Sequence, residues 1–289
     1  MFFYQKTKNI LHLQFEKPNG FCNKTMKLTK LIILLAVVFA TGCGEFSKLL
    51  KSNDYELKYT KAFEYYGMEK YDKSVQLFEQ ILPVYKGMEK GEKVMYYYTM
   101  SLYKVKDYYT AGYYFRKFAQ TYPHSEYTEE AMYLGAYCYY LDSPKPSLDQ
   151  ESTNMAISEF ELFLSKFPNT PKKDTCNTLL DKLRWKLQTK SYNNAYLYYK
   201  LGYYKAANIS LKNSIKDYPD SPYREEILYY TAKAAYIYAD KSVPEKQQER
   251  FLNAKTDIAD YIKAYPTGKY LKDINKMKEN SEKFITNYR

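Results

Sequence analysis

Histidine is almost missing from this chain: two occur in 289 residues, and only His124 lies beyond residue 42. A metal centre built on histidine therefore has no second ligand, and no cysteine pair stands at zinc-site spacing. Glycine is scarce, at 10 residues, and nowhere forms a phosphate-cradling loop. No serine sits in the strand–turn–helix setting of a hydrolase nucleophile. Strand-like alternation is rare, and tryptophan occurs once, as Trp185. These absences speak against an enzyme and against a resident cofactor or metal. The carboxylate pairs Glu129-Glu130 and Glu225-Glu226 follow Ser125 and Ser221, where capping and the helix dipole account for them.

The net charge is +11, but residues 1–42 alone carry six Lys against one Glu. The remaining positive charge is modest and scattered. It suits an anionic membrane surface or acidic partners, and it lacks the dense lining that nucleic acid requires, so no nucleic-acid partner is expected.

Tyrosine is abundant: 37 Tyr and 15 Phe. Nine of these fall in one recurring phrase, an aromatic or apolar helix end closed by a Pro: Phe115–Pro123 (FRKFAQTYP), Phe160–Pro168 (FELFLSKFP), Leu211–Pro219 (LKNSIKDYP) and Ile258–Pro266 (IADYIKAYP). A capping residue stands two positions on, at Ser125, Thr170 and Ser221, and Thr267 directly follows the fourth Pro. Each phrase is preceded by a small residue at Ala111, Ala156, Ala207 or Ala254, four before the large apolar residue and so on the same helix face. Ser74 takes that place in an earlier copy.

The spacing predicts an all-α, tetratricopeptide-like helical-repeat solenoid. About five helix pairs are expected, over roughly 54–85, 92–125, 127–170, 172–221 and 222–268, with a polar capping helix from Tyr270 to about Ile285. The small residues are 37 to 51 apart, against a tetratricopeptide period of about 34. The excess is assigned to loops at Leu141–Thr153 and Ala239–Arg250 and to a lengthened or kinked first helix in repeat four. Repeats one to three (54–170) and four to five plus the cap (171–289) form the N- and C-terminal parts.

The start of the chain reads as targeting sequence. Residues 1–25 show no organised pattern and are expected to lie upstream of the true start. Met26 opens a secretory signal over 26–42: Lys27 and Lys30, the apolar run Leu31–Ala40, then Thr41-Gly42. The run is too short for the roughly 20 residues of a membrane-spanning helix. Small residues before Cys43 resemble a bacterial lipoprotein processing site, which implies lipidation of Cys43 and membrane attachment through it. Ala40 stands where most such sites have Leu. Residues 43–53 read as a short polar tether. Cys138 and Cys176 are expected as buried free thiols, although export would permit a bridge between them.

In tetratricopeptide geometry the first helix of each pair lines a concave groove. Counting back from the small residues, Ala62, Tyr65, Thr99, Leu102, Ala136, Tyr139, Ala195, Tyr198, Ala234 and Ile237 pack on the partner helix. The inward set is Tyr59, Phe63, Tyr66; Tyr96, Met100, Tyr103; Tyr133, Tyr137, Tyr140; Tyr192, Tyr196, Tyr199; and Thr231, Ala235, Tyr238. Tyrosine offers an apolar face and a hydroxyl with little rotamer entropy to lose, so this groove would bind extended or partly folded peptide with low sequence demand. The alternative is that the rings pack on one another within a tight superhelix.

A lipoprotein signal followed by five such repeats resembles the BamD family, lipoproteins of the outer-membrane β-barrel assembly machinery. The resemblance covers about Cys43–Lys272 and is most specific at Phe115–Tyr140, Ala156–Thr170 and Asn194–Ser221. It implies a non-catalytic scaffold, lipid-anchored at the periplasmic face of the outer membrane. Unfolded outer-membrane β-barrel proteins would bind the N-terminal repeats, and the insertase BamA would dock on the C-terminal ones. The docking set would include Tyr192, Tyr196, Tyr199, Lys205, Ser210 and Lys212. Ser210 stands near the place where family members commonly carry an Arg, and Lys205 and Lys212 are its substitutes. Gly44 after the anchor lacks the Asp that commonly retains lipoproteins at the inner membrane. Two rivals are a periplasmic tetratricopeptide adaptor for peptidoglycan or envelope machinery and a glycan-binding lipoprotein of the SusD type.

Overall fold

A computed structural model describes residues 44–287 of the chain. Among the described residues there are twelve helices and no strand. The helix α1 covers 44–51. Five pairs follow: α2 (Tyr55–Gly67) with α3 (Tyr71–Tyr85), α4 (Gly91–Lys104) with α5 (Tyr108–Thr121), α6 (Thr128–Asp142) with α7 (Glu151–Lys166), α8 (Lys173–Lys200) with α9 (Tyr204–Asp217), and α10 (Arg224–Asp240) with α11 (Pro244–Ala264). The last helix, α12 (Leu271–Asn287), packs on α11 and α10. Consecutive helices pack on one another throughout, as a helical-repeat array requires.

Two kinds of turn recur, each with a local cause. Four second helices end one residue before an aromatic–Pro pair. Tyr122, Phe167, Tyr218 and Tyr265 share one backbone geometry, with φ −125, −125, −134 and −136° and ψ 64, 68, 75 and 70°. The following Pro drives its predecessor out of the helical region, so the phrase found in the sequence is a helix stop. Within pairs one, two and four the turn instead holds one left-handed residue: Glu69 (φ 59°), Lys106 (φ 67°) and Gly202 (φ 80°). The next residue's N–H bonds back over the turn in all three: Lys70 to Tyr65, Asp107 to Leu102 and Tyr203 to Tyr198. Pairs three and five have no such residue.

The small–large phrase supplies the core. Ser74 and Phe78, Ala111 and Phe115, Ala156 and Phe160, Ala207 and Leu211, and Ala254 and Ile258 are all buried, none above 1% exposed. Deleting a large member of such a pair costs about 2–5 kcal/mol. The glutamates at the first-helix starts do more than cap. Glu92 accepts from the Ser125 hydroxyl (2.7 Å), Glu129 from that of Thr170 (2.8 Å) and Glu225 from Lys269 N–H (2.7 Å), so each ties down the turn that ends its own repeat.

Two expectations are corrected. The polar tether is helical over 44–51 and docked. Phe46 is buried edge-on against Tyr65 (5.5 Å), and the buried Lys58 ammonium donates to Leu50 O (3.1 Å), satisfying a carbonyl at the end of α1. Phe46, Leu49 and Leu50 share one helical face, a spacing that outweighs the polar average of the stretch. The second loop, Ala239–Arg250, shrinks to three non-helical residues, because Pro244 starts α11 at N1 and Glu, Lys, Gln and Arg continue it. The first loop is found between α6 and α7, and α8 is a single helix of 28 residues. Between Leu183 and Ala195, α8 fully buries only Gln188 and Thr189, so the middle of this long helix carries no apolar core.

Candidate functional site

The tyrosines singled out by register lie on one face of the first helices and form ladders. Tyr133, Tyr137 and Tyr140 are parallel within 8° and 15°, with centroids 6.0 and 5.8 Å apart. Tyr192, Tyr196 and Tyr199 repeat this at 5.7 and 5.9 Å and within 9° and 11°. In repeat one, Tyr59 meets Phe63 at 4.8 Å, and Phe63 and Tyr66 reach Tyr97 of the next repeat at 5.1 and 4.9 Å. Met100 and Tyr103 complete repeat two. Both sequence alternatives thus hold in part: the rings pack on one another, yet all but one of these twelve positions stay half-buried with an open side. The exception is Tyr96, 6% exposed, whose hydroxyl donates to Glu130 (2.8 Å). Burial pushes the Tyr66 and Tyr192 phenols up to about 12, so both are neutral hydrogen-bond donors at physiological pH.

A second set of residues covers the first ring of every ladder, and register counting alone missed it. Tyr127 stacks on Tyr96 (4.3 Å), Tyr223 on Tyr192 (4.7 Å) and Tyr270 on Tyr229 (3.9 Å). In the other two repeats a lysine takes this role: Lys90 lies 4.8 Å from the Tyr59 ring and Lys172 5.2 Å from that of Tyr133. The signal was present in the sequence, since Tyr127, Lys172, Tyr223 and Tyr270 each stand four residues after the helix-stopping Pro.

This pattern corrects repeat five. Thr231 and Ala235 are buried at 3% and 8%, and the residue in the first-ring position is Tyr229. Spacing from Ala254 implies a loop, and the nearly loopless connection to α11 shifts the register by two. Tyr238 stays half-buried under the Arg250 guanidinium (4.1 Å). Tyr198, assigned to packing, is 43% exposed.

On α9 of repeat four the docking candidates separate. Lys205 is exposed and lines a surface hollow of about 570 Å³ with Tyr203, Tyr204, Ile209, Tyr238 and Lys241. Leu197, Leu201, Tyr203 and Ile209 are each more than half exposed around this α8–α9 turn, four apolar side chains within thirteen residues of sequence. Ser210 is half-buried. Lys212 is already engaged: its ammonium pairs at 2.6 Å with the buried Asp257, which also accepts from Asn208 (2.7 Å).

Cys43 lies outside the described residues. Cys138 and Cys176 are buried free thiols, and burial pushes that of Cys138 up to about 12. Among the described residues no group of three His, Cys, Asp or Glu could hold a metal ion, and no helix is long and apolar enough to cross a membrane. A comparison with curated proteins returns no match. The family model YfiO, described as an outer membrane lipoprotein, matches residues 52–237 and 186–287, which takes in every helix after α1. The chain therefore belongs to the YfiO (BamD) outer membrane lipoprotein family.

Proposed function

We propose that this chain is a non-catalytic scaffold of outer-membrane β-barrel assembly, lipid-anchored through Cys43 at the periplasmic face of the membrane. Its tyrosine ladders hold extended segments of unfolded outer-membrane proteins, and the apolar residues at the α8–α9 turn of repeat four dock a BamA-like insertase. Support for the first role comes from the spacing of the rings. Steps of 5.7–6.0 Å along the ladders of repeats three and four lie close to the roughly 6.6 Å between every second side chain of an extended chain. Strands of membrane β-barrels alternate apolar and polar residues with that period, so their apolar side chains would meet successive rings while polar ones face water. Half-buried phenol hydroxyls add donors for the peptide backbone without demanding a sequence. Support for the second role comes from Leu197, Leu201, Tyr203 and Ile209, whose exposure a monomer gains nothing from.

The test is site-specific photo-crosslinking in intact cells. A crosslinker at Tyr137 is expected to trap β-barrel precursors, and one at Tyr203 a large barrel protein with periplasmic domains. Peptidoglycan enzymes or glycan captured at these positions, without barrel proteins, would replace this reading with the envelope adaptor or the glycan binder. Cys43→Ser is expected to release the protein from the membrane fraction.

A further inference from the structure

The Tyr133–Tyr137–Tyr140 ladder is bracketed by two ammonium groups, one from the N-cap residue of α8 and one from within that helix. Lys172 Nζ lies 5.2 Å from the Tyr133 ring and Lys186 Nζ 5.9 Å from the Tyr140 ring. Both lysines are half-buried. Neither has a carboxylate partner among the described residues: the ion pairs of α8 and its surroundings involve Arg184 with Glu161 and Arg116 with Glu159. The carboxylate at the turn beside Lys172, Glu129, is held by the Thr170 hydroxyl.

Lys186 donates to Ser143 O (2.9 Å) and Ser143 Oγ (2.8 Å), both neutral acceptors. An ammonium has three donors, so one is left. Burial without a counter-ion disfavours the charged form, and the Lys186 ammonium is accordingly held below the ordinary lysine range. A half-buried cation of this kind is stabilised by an anion that arrives with a ligand. Lys172 stands at the N-terminus of α8, where the helix dipole also disfavours a cation and favours an incoming anion.

We infer that repeat three carries a carboxylate-selective subsite, in which Lys186 binds a carboxylate of an extended peptide whose apolar side chains lie on Tyr133, Tyr137 and Tyr140, and Lys172 offers the same contact at the opposite end of the ladder. This deepens the proposed function and rests on the groove binding peptide at all. The carboxylate is that of an acidic side chain or of a peptide C-terminus, which share the chemistry. Other ladders lack the two-ended arrangement: Lys90 over Tyr59 is already paired with Glu56 (2.9 Å), Tyr96, Tyr192 and Tyr229 are covered by rings, and Lys200, 4.9 Å from the Tyr196 ring, is a single exposed ammonium.

The experiment measures binding of three fluorescent peptides of one alternating apolar–polar sequence to the purified protein. One has neutral polar positions and an amidated end, one the same positions with a free C-terminus, and one a single Glu with an amidated end. A charge-assisted hydrogen bond predicts at least about tenfold tighter binding of a carboxylate-bearing peptide than of the neutral one. Lys172→Met with Lys186→Met is expected to abolish that preference, and Lys186→Arg to retain it. A melting curve confirms that the double variant is folded; if it is not, Lys172→Met and the Lys186→Arg comparison carry the test. Tighter binding of the free-end peptide alone identifies a terminal carboxylate, and of the Glu peptide alone an acidic side chain. Equal binding of all three, or a preference that survives in the double variant, overturns the subsite but spares the groove. No binding by any peptide overturns both.

Discussion

Tyr229 and Tyr270 stack face to face, with centroids 3.9 Å apart and planes within 7°. The pair joins the last repeat to α12 and is reinforced at one carboxylate. Tyr229 Oη donates to Asp273 Oδ2 (2.6 Å), and Lys233 Nζ donates to the same oxygen (3.0 Å) and to Tyr229 Oη (2.6 Å). The bond from Tyr229, and then Lys233, hold the Asp273 carboxyl below its ordinary range against the opposing effect of burial. A carboxyl lowered in the folded state contributes stability above the unfolded value of about 4, and that contribution is lost as pH falls through the lowered folded value. Docking of α12 is therefore expected to weaken in acid below about pH 4. Hydrogen exchange of α12 against pH checks this. Asp273→Asn should raise exchange at neutral pH and flatten the acid limb; an unchanged acid limb would show that other carboxylates control it.

Opposite backbone changes in repeat two are expected to reverse the usual sign of glycine substitution. Gly to Ala within a helix normally adds about 0.5–1 kcal/mol. A Cβ at Gly112 would instead lie 2.9–3.1 Å from ring carbons of Tyr139, itself only 1% exposed, so Gly112→Ala should cost about 1–3 kcal/mol. Lys106 is left-handed at φ 67°, where Gly202 stands in the corresponding turn of repeat four. Lys106→Gly is thus expected to gain up to about 1 kcal/mol despite its more flexible unfolded chain. Urea unfolding of both variants decides; a stabilising Gly112→Ala would mean that Tyr139 can shift at little cost.

The sequence makes the array legible because its stop signal is local. A Pro fixes its neighbour's backbone and a small–large pair fixes the buried face, so Tyr122-Pro123 and Ala111 with Phe115 can be read without knowing the rest of the chain. Packing between repeats is not local. Tyr198 has the spacing of a packing residue and is exposed, while Tyr96 has the spacing of a groove residue and is buried under Tyr127. The repeat-five register failed for a related reason: counting from Ala254 assumes a loop, and the Pro244 start of α11 removes most of it. The covering residues were readable in principle, at a fixed offset from Pro, but only their contacts with Tyr96, Tyr192 and Tyr229 reveal what that offset does.

Lys212 looked like a docking cation and is expected to behave as a structural one. Its partner Asp257 is 4% exposed, and removing the ammonium leaves that buried carboxylate with Asn208 alone. Breaking a buried pair from one side costs about 3–5 kcal/mol; because Lys212 itself is half exposed, about 1–3 kcal/mol is expected for Lys212→Met. Lys212→Met with Asp257→Asn should recover part of the loss. By contrast Lys205→Met should leave stability within about 0.5 kcal/mol and weaken partner capture, because it changes only an exposed residue at the hollow. Thermal melts and pull-downs of the four proteins separate the two roles. A Lys212→Met protein of normal stability that fails to capture a partner would return Lys212 to the interface.

Tyr96 and Tyr137 occupy equivalent groove positions by spacing, and their alanine variants are expected to fail differently. The Tyr96 ring is stacked on Tyr127 at 4.3 Å, lies 5.6 Å from Phe118 and donates to Glu130. Tyr96→Ala should cost about 3–5 kcal/mol, as for other buried aromatic truncations, and Tyr96→Phe only about 1 kcal/mol. Tyr137 is half-buried between Tyr133 and Tyr140, with one side open. Tyr137→Ala should lose about 1 kcal/mol or less of stability, yet weaken an alternating peptide by roughly the 1–3 kcal/mol of a buried anchor. Unfolding curves give the first quantity and peptide titrations the second. If Tyr137→Ala melts like Tyr96→Ala and binds peptide like wild type, the ladder is core rather than groove, and the peptide site must be sought at the exposed apolar turn of Leu197 and Leu201.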